Sequence, residues 1–405
     1  RRKEDIRLLE GKGRYLDDLH FENQAYGAVL RSPHAHAKIK SINIENAVNL
    51  NGVLDIITAK DLKADNITGI PCLAKVESRD GQDMANPLRP ILAEDYVRYV
   101  GDYIAFVVAE TKEIAKAALE YIEIDFDILD SITNPVDASK NDSPRVWDNL
   151  DTNRVFDWEN GNKDKVDDIF KNSELKSEVH LINNRVVVNS MEPRGAIGQF
   201  DKDKNKFTLY TPSQNVHLMK TLVSGSLGIE SENLRVVSPD MGGGFGMKVF
   251  IYPEQILLPY ASKRVNKTVK WTSDRSEAFI SDTQGRDHVT KAEIALDKNG
   301  KFKAIRVKTI SNMGAYLSNF APMIATQAGT VMLTGLYDIP EAYVNVLGVF
   351  TNTVPIDAYR GAGRPEASHI IERLVDVAAS DHGFAKDQIR RINLIPNEKV
   401  PYKTP

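Results

Sequence analysis

The amino-acid sequence predicts an α+β fold. Residues Lys112 to Tyr121 carry apolar side chains at helical spacing, and Ile122 to Ile128 then alternate apolar and polar side chains as a half-buried strand does. From about Val166 onward the pattern changes to longer units, in which a strand precedes a helix. Apolar residues make up 42% of the 405 residues, which is enough to build a sizeable core.

Composition and charge exclude several classes of protein. The sequence has 52 Lys and Arg residues against 56 Asp and Glu residues, and this balance argues against a nucleic-acid-binding or polybasic membrane surface. Cys72 is the one cysteine, so this sequence cannot form an intrachain disulfide, a four-cysteine zinc site or an iron–sulfur cluster. No apolar run approaches the roughly 18 residues of a membrane-spanning helix. We therefore expect a cytoplasmic protein with no membrane span and no nucleic-acid partner.

Changes in pattern along the chain predict three parts. Residues 1–130 are expected to form a compact α+β domain. Residues 131–165 are rich in Asn, Asp, Pro and Gly, which predicts a long surface connection. Residues 166–405 are expected to form a second domain. Its predicted elements are a strand at Phe207–Tyr210, a helix ending near Leu227, a strand at Leu234–Val237, a helix from Pro253 to Arg264, a hairpin at Asp297–Lys301 and a helix from Pro365 to about Ser380. The absence of an initial Met and the abrupt ending lead us to expect that both ends are cut.

A glycine-rich loop, Gly242–Gly246, is the sharpest local signal. Its glycines allow positive φ angles and let a ligand approach the bare backbone, whose N–H groups could hold an anion or an oxo group. A tight strand-to-helix turn is the simpler interpretation. A dinucleotide fingerprint fits poorly because Met247 stands where the third glycine belongs. A phosphate-binding loop does not fit, because Lys248 is followed by Val249 rather than Ser or Thr.

Two further elements could bind an oxygen-rich ligand. The arginine loop, Ala358–Arg364, places two Arg residues among small residues at a helix start, which suits a planar ligand with several oxygen atoms. The alternative is that its arginines pair with a nearby carboxylate such as Glu366 or Glu372. Gln214 offers a neutral amide that can both donate and accept hydrogen bonds.

Taken together, these motifs resemble the molybdenum hydroxylases, the xanthine dehydrogenase and aldehyde oxidase family. Within that family the chain is most similar to aerobic carbon monoxide dehydrogenase-like large subunits, over essentially its whole length. The first segment resembles the family's hammerhead domain, and the second resembles the first half of its molybdopterin-binding domain. The motifs that carry the resemblance are Gly11–Tyr15, Arg31–Ala37, Val107–Thr111, Met191–Gly195, Gln214, Met241–Gly246 and Ala358–Gly361.

The resemblance implies roles for the loop residues. Gln214 would hydrogen-bond the oxo ligand of molybdenum, the Phe245 backbone would face another oxygen ligand, and Arg360 would stabilise developing negative charge. The glycines would permit close approach, and the two residues after Arg360 would help to bind the cofactor. These additional cofactor-binding residues are Gly243, Gly244, Gly246, Gly361 and Ala362. No side chain would ligate the metal directly, since the pterin dithiolene holds it.

The resemblance also implies cofactors and partners beyond this chain. The cofactor would be molybdenum–molybdopterin, in its cytosine dinucleotide form, and water would supply the oxygen atom. Iron–sulfur clusters and FAD would lie on separate subunits, in a dimer of heterotrimers. The general-base Glu of the family would lie in the missing C-terminal half of the same chain, so we expect this segment alone to be inactive.

Departures from the family pattern narrow the substrate. Val249 replaces the Glu of purine oxidases, and Ala362 replaces their stacking Phe. Tyr359 and Gly361 flank Arg360, where copper-containing carbon monoxide dehydrogenases have a Cys. Aldehydes or N-heterocyclic aromatics therefore fit better than purines or carbon monoxide. The alternative functions are a nicotinamide-dependent oxidoreductase and a non-catalytic assembly or scaffold chain.

The remaining conspicuous residues receive structural interpretations. His34 and His36 share a strand face but lack a third ligand, so packing is favoured over metal binding. Cys72 is expected to be a buried, unreactive thiol. Glu254 and Glu366 could neighbour the pocket, but helix carboxylates of this kind are more commonly exposed.

Overall fold

Three β-sheets organise the chain. The computed structural model describes residues 2–405, and within that part the sheets have seven, five and three strands. The strands are β1 Ala25–Arg31, β2 Ala37–Asn43, β3 Val53–Thr58, β4 Tyr96–Val97, β5 Tyr103–Ala109, β6 Glu123–Ile128, β7 Arg154–Gly161, β8 Leu175–Asn183, β9 Gly195–Asp201, β10 Lys206–Tyr210, β11 Leu234–Val237, β12 Val269–Thr272, β13 His288–Leu296, β14 Phe302–Gly314 and β15 Glu341–Phe350.

Helices cover the sheets and connect their strands. They are α1 Asp5–Leu9, α2 Glu45–Val48, α3 Ala59–Ala64, α4 Lys112–Leu119, α5 Pro135–Ala138, α6 Lys163–Asn172, α7 Val216–Leu227, α8 Pro253–Val265, α9 Arg275–Ser281, α10 Ala321–Met323, α11 Arg364–His382 and α12 Lys386–Asn393. Among the described residues, no helix has both the length and the apolar character needed to cross a bilayer.

The predicted α+β fold is confirmed, and several elements lie where their patterns place them. Helix α4 begins after Thr111, whose hydroxyl accepts a hydrogen bond from the Ile114 N–H. Strand β6 follows it directly, although its last residue, Ile128, is exposed rather than buried. The predicted hairpin joins β13 to β14, and its turn is closed by a bond from the Asp297 N–H to the Lys301 carbonyl, 3.0 Å.

The seven-stranded sheet crosses the boundary between the two predicted domains. Its order is β11-β10-β9-β12-β1-β5-β3, so strands from the first 130 residues and from the second region share one sheet. The two sets meet where β1 pairs in parallel with β12, with Ala25 opposite Val269. The two regions are therefore continuous at the level of backbone hydrogen bonding.

The structure differs from the predicted surface connection of residues 131–165. Its later part contains β7, which forms the edge of the five-stranded sheet β7-β15-β14-β13-β8. Val155 and Phe156 are buried, whereas the end of the strand is exposed and polar. An edge strand packs only part of its length, so its apolar pattern is too short to stand out from the surrounding polar residues.

Parallel pairing of β10 and β11 positions the candidate site. Tyr210 lies opposite Val237 in this pair, so both strands end at the same edge of the sheet. The segment leading to Gln214 follows β10, and the glycine-rich loop follows β11. Ligands of open α/β sheets commonly bind at the carboxyl ends of the strands, and the loops at this edge are the ones that the motifs single out.

Candidate functional site

Gln214 contacts the glycine-rich loop directly. Its side-chain Oε1 accepts a hydrogen bond of 2.9 Å from the Gly246 N–H, and its own N–H donates to the Lys248 carbonyl at 3.0 Å. A β-carbon at Gly244 would lie 2.5 Å from Gln214 Oε1, which is closer than real β-carbons approach. Glycine at this position therefore allows the amide to sit against the loop. Because Oε1 is engaged, the exposed Nε2 group is the part of Gln214 available to an external acceptor.

The backbone of the glycine-rich loop adopts left-handed conformations. Gly243 and Gly246 have φ angles of 103° and 102°, and Phe245 has a φ of 50°. Left-handed φ in an aromatic residue is strained and is maintained only where surrounding contacts require it. The Phe245 N–H has no hydrogen-bond partner among residues 2–405, and the residue is 43% exposed. The loop thus presents a free backbone donor at the surface.

The arginine loop packs against the glycine-rich loop. The Arg360 N–H donates to the Phe245 carbonyl at 2.9 Å, and the Arg360 guanidinium carbon lies 5.9 Å from the Phe245 ring centroid. A β-carbon at Gly246 would lie 2.4 Å from the Ala358 carbonyl oxygen, so this glycine makes the close approach of the two loops possible. Gly361 and Ala362 complete the turn with φ angles of 95° and 47°.

The predicted site residues are therefore brought together. Gln214, Phe245 and Arg360 are exposed and adjoin one another at one surface of the molecule. Among the described residues, Arg360 forms no ion pair; Glu366 pairs instead with Arg286. The alternative in which Arg360 is neutralised by a neighbouring carboxylate is thus not observed.

Glu192 anchors the glycine-rich loop, and local sequence pattern gave no indication of this role. Its Oε2 accepts hydrogen bonds from the Gly242 N–H and from Lys248 Nζ, both at 2.9 Å. The Glu192 N–H in turn donates to the Gly242 carbonyl at 3.0 Å. Burial lowers the pKa of Lys248, and the pairing with Glu192 opposes that effect. The ion pair between Glu192 and Lys248, whose side chains lie outside the loop, therefore fixes the loop in position.

Arg286 anchors the arginine loop and was likewise missed by sequence reasoning. Its guanidinium donates to the Tyr359 carbonyl at 3.2 Å, to the Arg360 carbonyl at 2.9 Å and to Glu366 Oε1 at 3.1 Å. Arg286 lies two residues before β13 and far from the loop in sequence, so no motif spacing links the two. Only knowledge that the two segments are in contact in the folded chain would have identified Arg286.

The expectation that Glu254 and Glu366 are exposed is wrong. Glu254 is fully buried, where it pairs with Arg194 and accepts a hydrogen bond of 2.9 Å from the Tyr103 hydroxyl. Glu366 is 4% exposed and pairs with Arg286. Each carboxylate pairs with an arginine contributed by a distant segment, Arg194 being buried and Arg286 partly buried, and such a partner leaves no local trace in the sequence.

The structure supports packing roles for the other conspicuous residues. His36 Nδ1 bonds the Asp130 carbonyl at 2.9 Å, and the His34 ring lies edge-on to Phe126. Within residues 2–405, no three His, Cys, Asp or Glu side chains converge as a metal-binding group. Burial raises the pKa of Cys72 to about 12, so this thiol is protonated and unreactive at neutral pH.

The path of the chain after the glycine-rich loop does not favour dinucleotide binding. The loop leads into a single tight turn, Met247–Val249, and α8 begins only at Pro253. Two strands, β10 and β9, separate β11 from β12 in the sheet. A nucleotide-binding unit instead places a helix N-terminus directly behind its glycines and pairs the flanking strands as neighbours.

Comparisons with known proteins agree with this geometry. A family model described as the molybdopterin cofactor-binding domain matches residues 146–394, and one described as the a/b hammerhead domain of aldehyde oxidase and xanthine dehydrogenase matches residues 10–130. The crystal structure of quinoline 2-oxidoreductase from Pseudomonas putida 86 superimposes with a TM-score of 0.93 and 31% identity. The match covers 100% of this chain and 50% of that one.

Two curated relatives differ in how much of their own length this chain spans. The carbon monoxide dehydrogenase large chain of Hydrogenophaga pseudoflava is 34% identical over 99% of this chain and 50% of its own length. The nicotinate dehydrogenase large molybdopterin subunit of Eubacterium barkeri is 28% identical over 96% of this chain and 87% of its own length. The chain thus spans about half of the first relative and most of the second. It belongs to the molybdopterin-binding family of aldehyde oxidase and xanthine dehydrogenase, as its motifs predict.

Proposed function

We propose that this chain forms part of the molybdenum active site of an oxidoreductase, one that hydroxylates or oxidises a small carbonyl or N-heterocyclic substrate with oxygen derived from water. One observation carries the proposal: Gln214 and Arg360 both contact the Phe245–Gly246 turn, and no acceptor within residues 2–405 engages Gln214 Nε2, the Phe245 N–H or the Arg360 guanidinium. Three donors grouped in this way suit a ligand that presents several oxygen atoms.

The residues present fit a molybdenum–molybdopterin group. Bare backbone at Gly244 and Gly246 leaves the close contacts that a β-carbon would block. Gln214 and the Phe245 N–H would each donate to an oxygen atom of the metal centre, and Arg360 would stabilise negative charge there. Gly243, Gly361 and Ala362 would shape the turns that hold these donors. When bound, the cofactor supplies the two-electron redox chemistry, and the protein supplies binding and orientation.

This sequence has one cysteine, Cys72, which cannot by itself ligate an iron–sulfur cluster, so these 405 residues supply no such cluster. We propose an iron–sulfur subunit and an FAD subunit, in a cytoplasmic dimer of heterotrimers with the cytosine dinucleotide form of the cofactor. The rest of the molybdopterin site, including the general-base Glu, would come from a C-terminal continuation of this chain. A separate polypeptide is the alternative source of these residues. The Eubacterium barkeri relative supports this alternative, because the match to this chain covers 87% of that relative's length.

The substrate proposal rests on residues around Arg360. Its neighbours Tyr359 and Gly361 offer no thiolate for a copper ion, and Ala362 offers no aromatic ring to stack on a purine. Val249 has no hydrogen-bonding group for a purine edge. Similarity to quinoline 2-oxidoreductase, whose name specifies an N-heterocyclic substrate, supports an N-heterocycle or an aldehyde.

Metal and pterin analysis of the assembled complex tests the proposal. The chain is produced with its continuation or companion subunits and purified, and molybdenum is measured by mass spectrometry alongside pterin fluorescence after oxidation. We expect about one molybdenum and one pterin per copy of this chain. A complex that assembles fully but contains neither would refute the proposed function.

A further inference from the structure

The Arg286 side chain holds the arginine loop from its inner side. The side chain is about one-tenth exposed, and its guanidinium donates to two consecutive carbonyl oxygens, those of Tyr359 and Arg360. The guanidinium carbon also lies 5.0 Å from the centroid of the Tyr359 ring. Arg286 thus engages the backbone on both sides of the Tyr359–Arg360 peptide, while the Arg360 side chain itself is exposed.

Glu366 balances the charge of Arg286. It lies in the first turn of α11, where the helix dipole favours a negative charge, and its Oε1 accepts from Arg286 at 3.1 Å. Its other oxygen, Oε2, is buried without a hydrogen-bond partner among the described residues. Glu366 lines a cavity of about 30 Å³ together with His288 and Thr309, a space large enough for a single water molecule. Arg286 is therefore the cation that compensates this buried carboxylate.

The backbone at Arg286 is fixed as firmly as its side chain. Arg286 and Asp287 both have φ angles of 68°, a left-handed conformation that costs energy in residues with a β-carbon. The Asp287 carboxylate accepts from Arg185 Nε at 2.7 Å and from Asn312 Nδ2 at 2.9 Å, which holds this strained turn in place. Strain that surrounding contacts maintain is typical of residues whose orientation matters.

We propose that Arg286, with Glu366 as its counter-ion, is the positioning residue that sets the orientation of Arg360. Arg286 forms no side-chain hydrogen bond with Gln214 or Phe245 and acts through the two carbonyls that it binds. Removing its guanidinium frees the turn that carries Arg360 and leaves Glu366 as a buried charge without a partner. That Arg286 holds the turn rests on these contacts alone. That the orientation of Arg360 matters to a molybdenum centre rests on the proposed function.

Amide hydrogen exchange in the assembled complex tests the proposal. The Arg360 and Ala362 N–H groups are the reporters, since the first bonds the Phe245 carbonyl and the second the Tyr359 carbonyl. We expect both amides to exchange at least about tenfold faster in Arg286→Met, the factor that corresponds to loss of one ordinary hydrogen bond. Lys at position 286 keeps the charge but cannot span three acceptors, so Arg286→Lys should restore only part of the protection.

A double variant separates positioning from general stability. In Arg286→Met/Glu366→Gln no buried charge is left unpaired, so the unfolding midpoint should return toward that of the wild type while exchange at Arg360 and Ala362 stays fast. Arg306→Met is the matched control, because Arg306 forms comparable ion pairs with Glu293 and Asp167 away from the arginine loop. It should leave exchange in the loop unchanged.

Two results would overturn the proposal. The first is an exchange rate at the Arg360 and Ala362 amides of the double variant that lies within about twofold of the wild-type rate, because loss of an ordinary hydrogen bond would change the rate by more. The other is equal acceleration in Arg306→Met, which would mean that the loop reports global stability alone. Molybdenum content is measured on the same samples. If the wild-type complex contains no molybdenum, the proposed function fails while the exchange data still decide the role of Arg286.

Discussion

The Arg360 N–H donates to the Phe245 carbonyl oxygen at 2.9 Å, and this bond joins two turns that are far apart in the sequence. Both residues are exposed, and neither turn is regular secondary structure. The contact exists because Glu192 and Lys248 fix one loop while Arg286 fixes the other. Donor groups on two rigidly held turns are better suited to recognise a multi-oxygen ligand than the same groups on free loops.

Substitution of Arg360 separates catalysis from folding. Because the side chain is exposed and has no ion pair among residues 2–405, Arg360→Ala should leave the unfolding midpoint and molybdenum content of the complex close to wild type. Loss of a charged group that stabilises the transition state typically lowers kcat by about 10²–10³. Steady-state kinetics on the assembled enzyme measure this effect. An unchanged kcat would exclude Arg360 from the reaction. Arg235→Ala is the control, because Arg235 is exposed on β11 and forms no ion pair among residues 2–405.

Gly246→Ala should disrupt the contact between the loops. The added β-carbon would lie 2.4 Å from the Ala358 carbonyl, and the φ of 102° is unfavourable for alanine. We expect a loss of at least about 2 kcal/mol in the free energy of unfolding, with faster exchange at the Arg360 amide.

Gly225→Ala provides the matched comparison for that glycine. Gly225 lies inside α7, and a β-carbon there meets nothing within 4 Å. Alanine in a helix is more favourable than glycine by up to about 1 kcal/mol, so this variant should be slightly stabilised. Urea unfolding of both variants gives the difference. Equal effects of the two substitutions would show that the close approach at Gly246 is unimportant.

Sequence reasoning succeeded where the signal was local. Hydrophobic period, glycines and proline locate the strands that end at Tyr210 and Val237 and the helix that starts after the arginine loop. The two strands end at one sheet edge, where the segment to Gln214 and the glycine-rich loop follow them. The motif set then pointed to the family, because several ordered motifs are more specific than any one of them. Roles within the site remain predictions that the variants above examine.

What sequence reasoning missed depends on distant partners. Glu192 and Arg286 support the two loops, but each meets its loop only after the chain folds, so spacing along the sequence says nothing about them. Glu254 resembles an ordinary exposed helix residue until Arg194, contributed by the start of β9, is placed opposite it. Strand β7 was hidden because an edge strand with few buried residues has a weak apolar pattern.

Arg194 should be the most costly of the buried charges to remove. Its guanidinium pairs with Glu254 and Asp282, and all three side chains are at most 3% exposed. Arg194→Met would leave two buried carboxylates without their cation, which typically costs about 3–5 kcal/mol. Lys204→Ala breaks an exposed pair with Asp201 and should cause no measurable change. Urea unfolding of both variants checks the contrast, and equal midpoints would contradict it.

The burial of Asp357 predicts an unusual pH dependence. This carboxylate directly precedes the arginine loop and accepts hydrogen bonds from the Phe320 and Ala358 N–H groups, at 2.9 and 2.7 Å. Burial raises the pKa of Asp357 to about 7, although these bonds oppose the shift. The folded chain therefore holds a proton that the unfolded chain has lost between about pH 4 and pH 7.

The sign of the effect follows from that difference. Since the folded state binds the extra proton, the contribution of Asp357 to stability is greatest below about pH 4, falls as the pH rises to about 7, and is constant above that value. Other carboxylates, such as Asp240, have a lowered pKa and act in the opposite sense at low pH. The informative quantity is therefore the free energy of unfolding of wild type minus that of Asp357→Asn, measured with urea across this range. We expect the difference to decrease steadily from about pH 4 to pH 7, and a flat difference would show that Asp357 is ionised throughout.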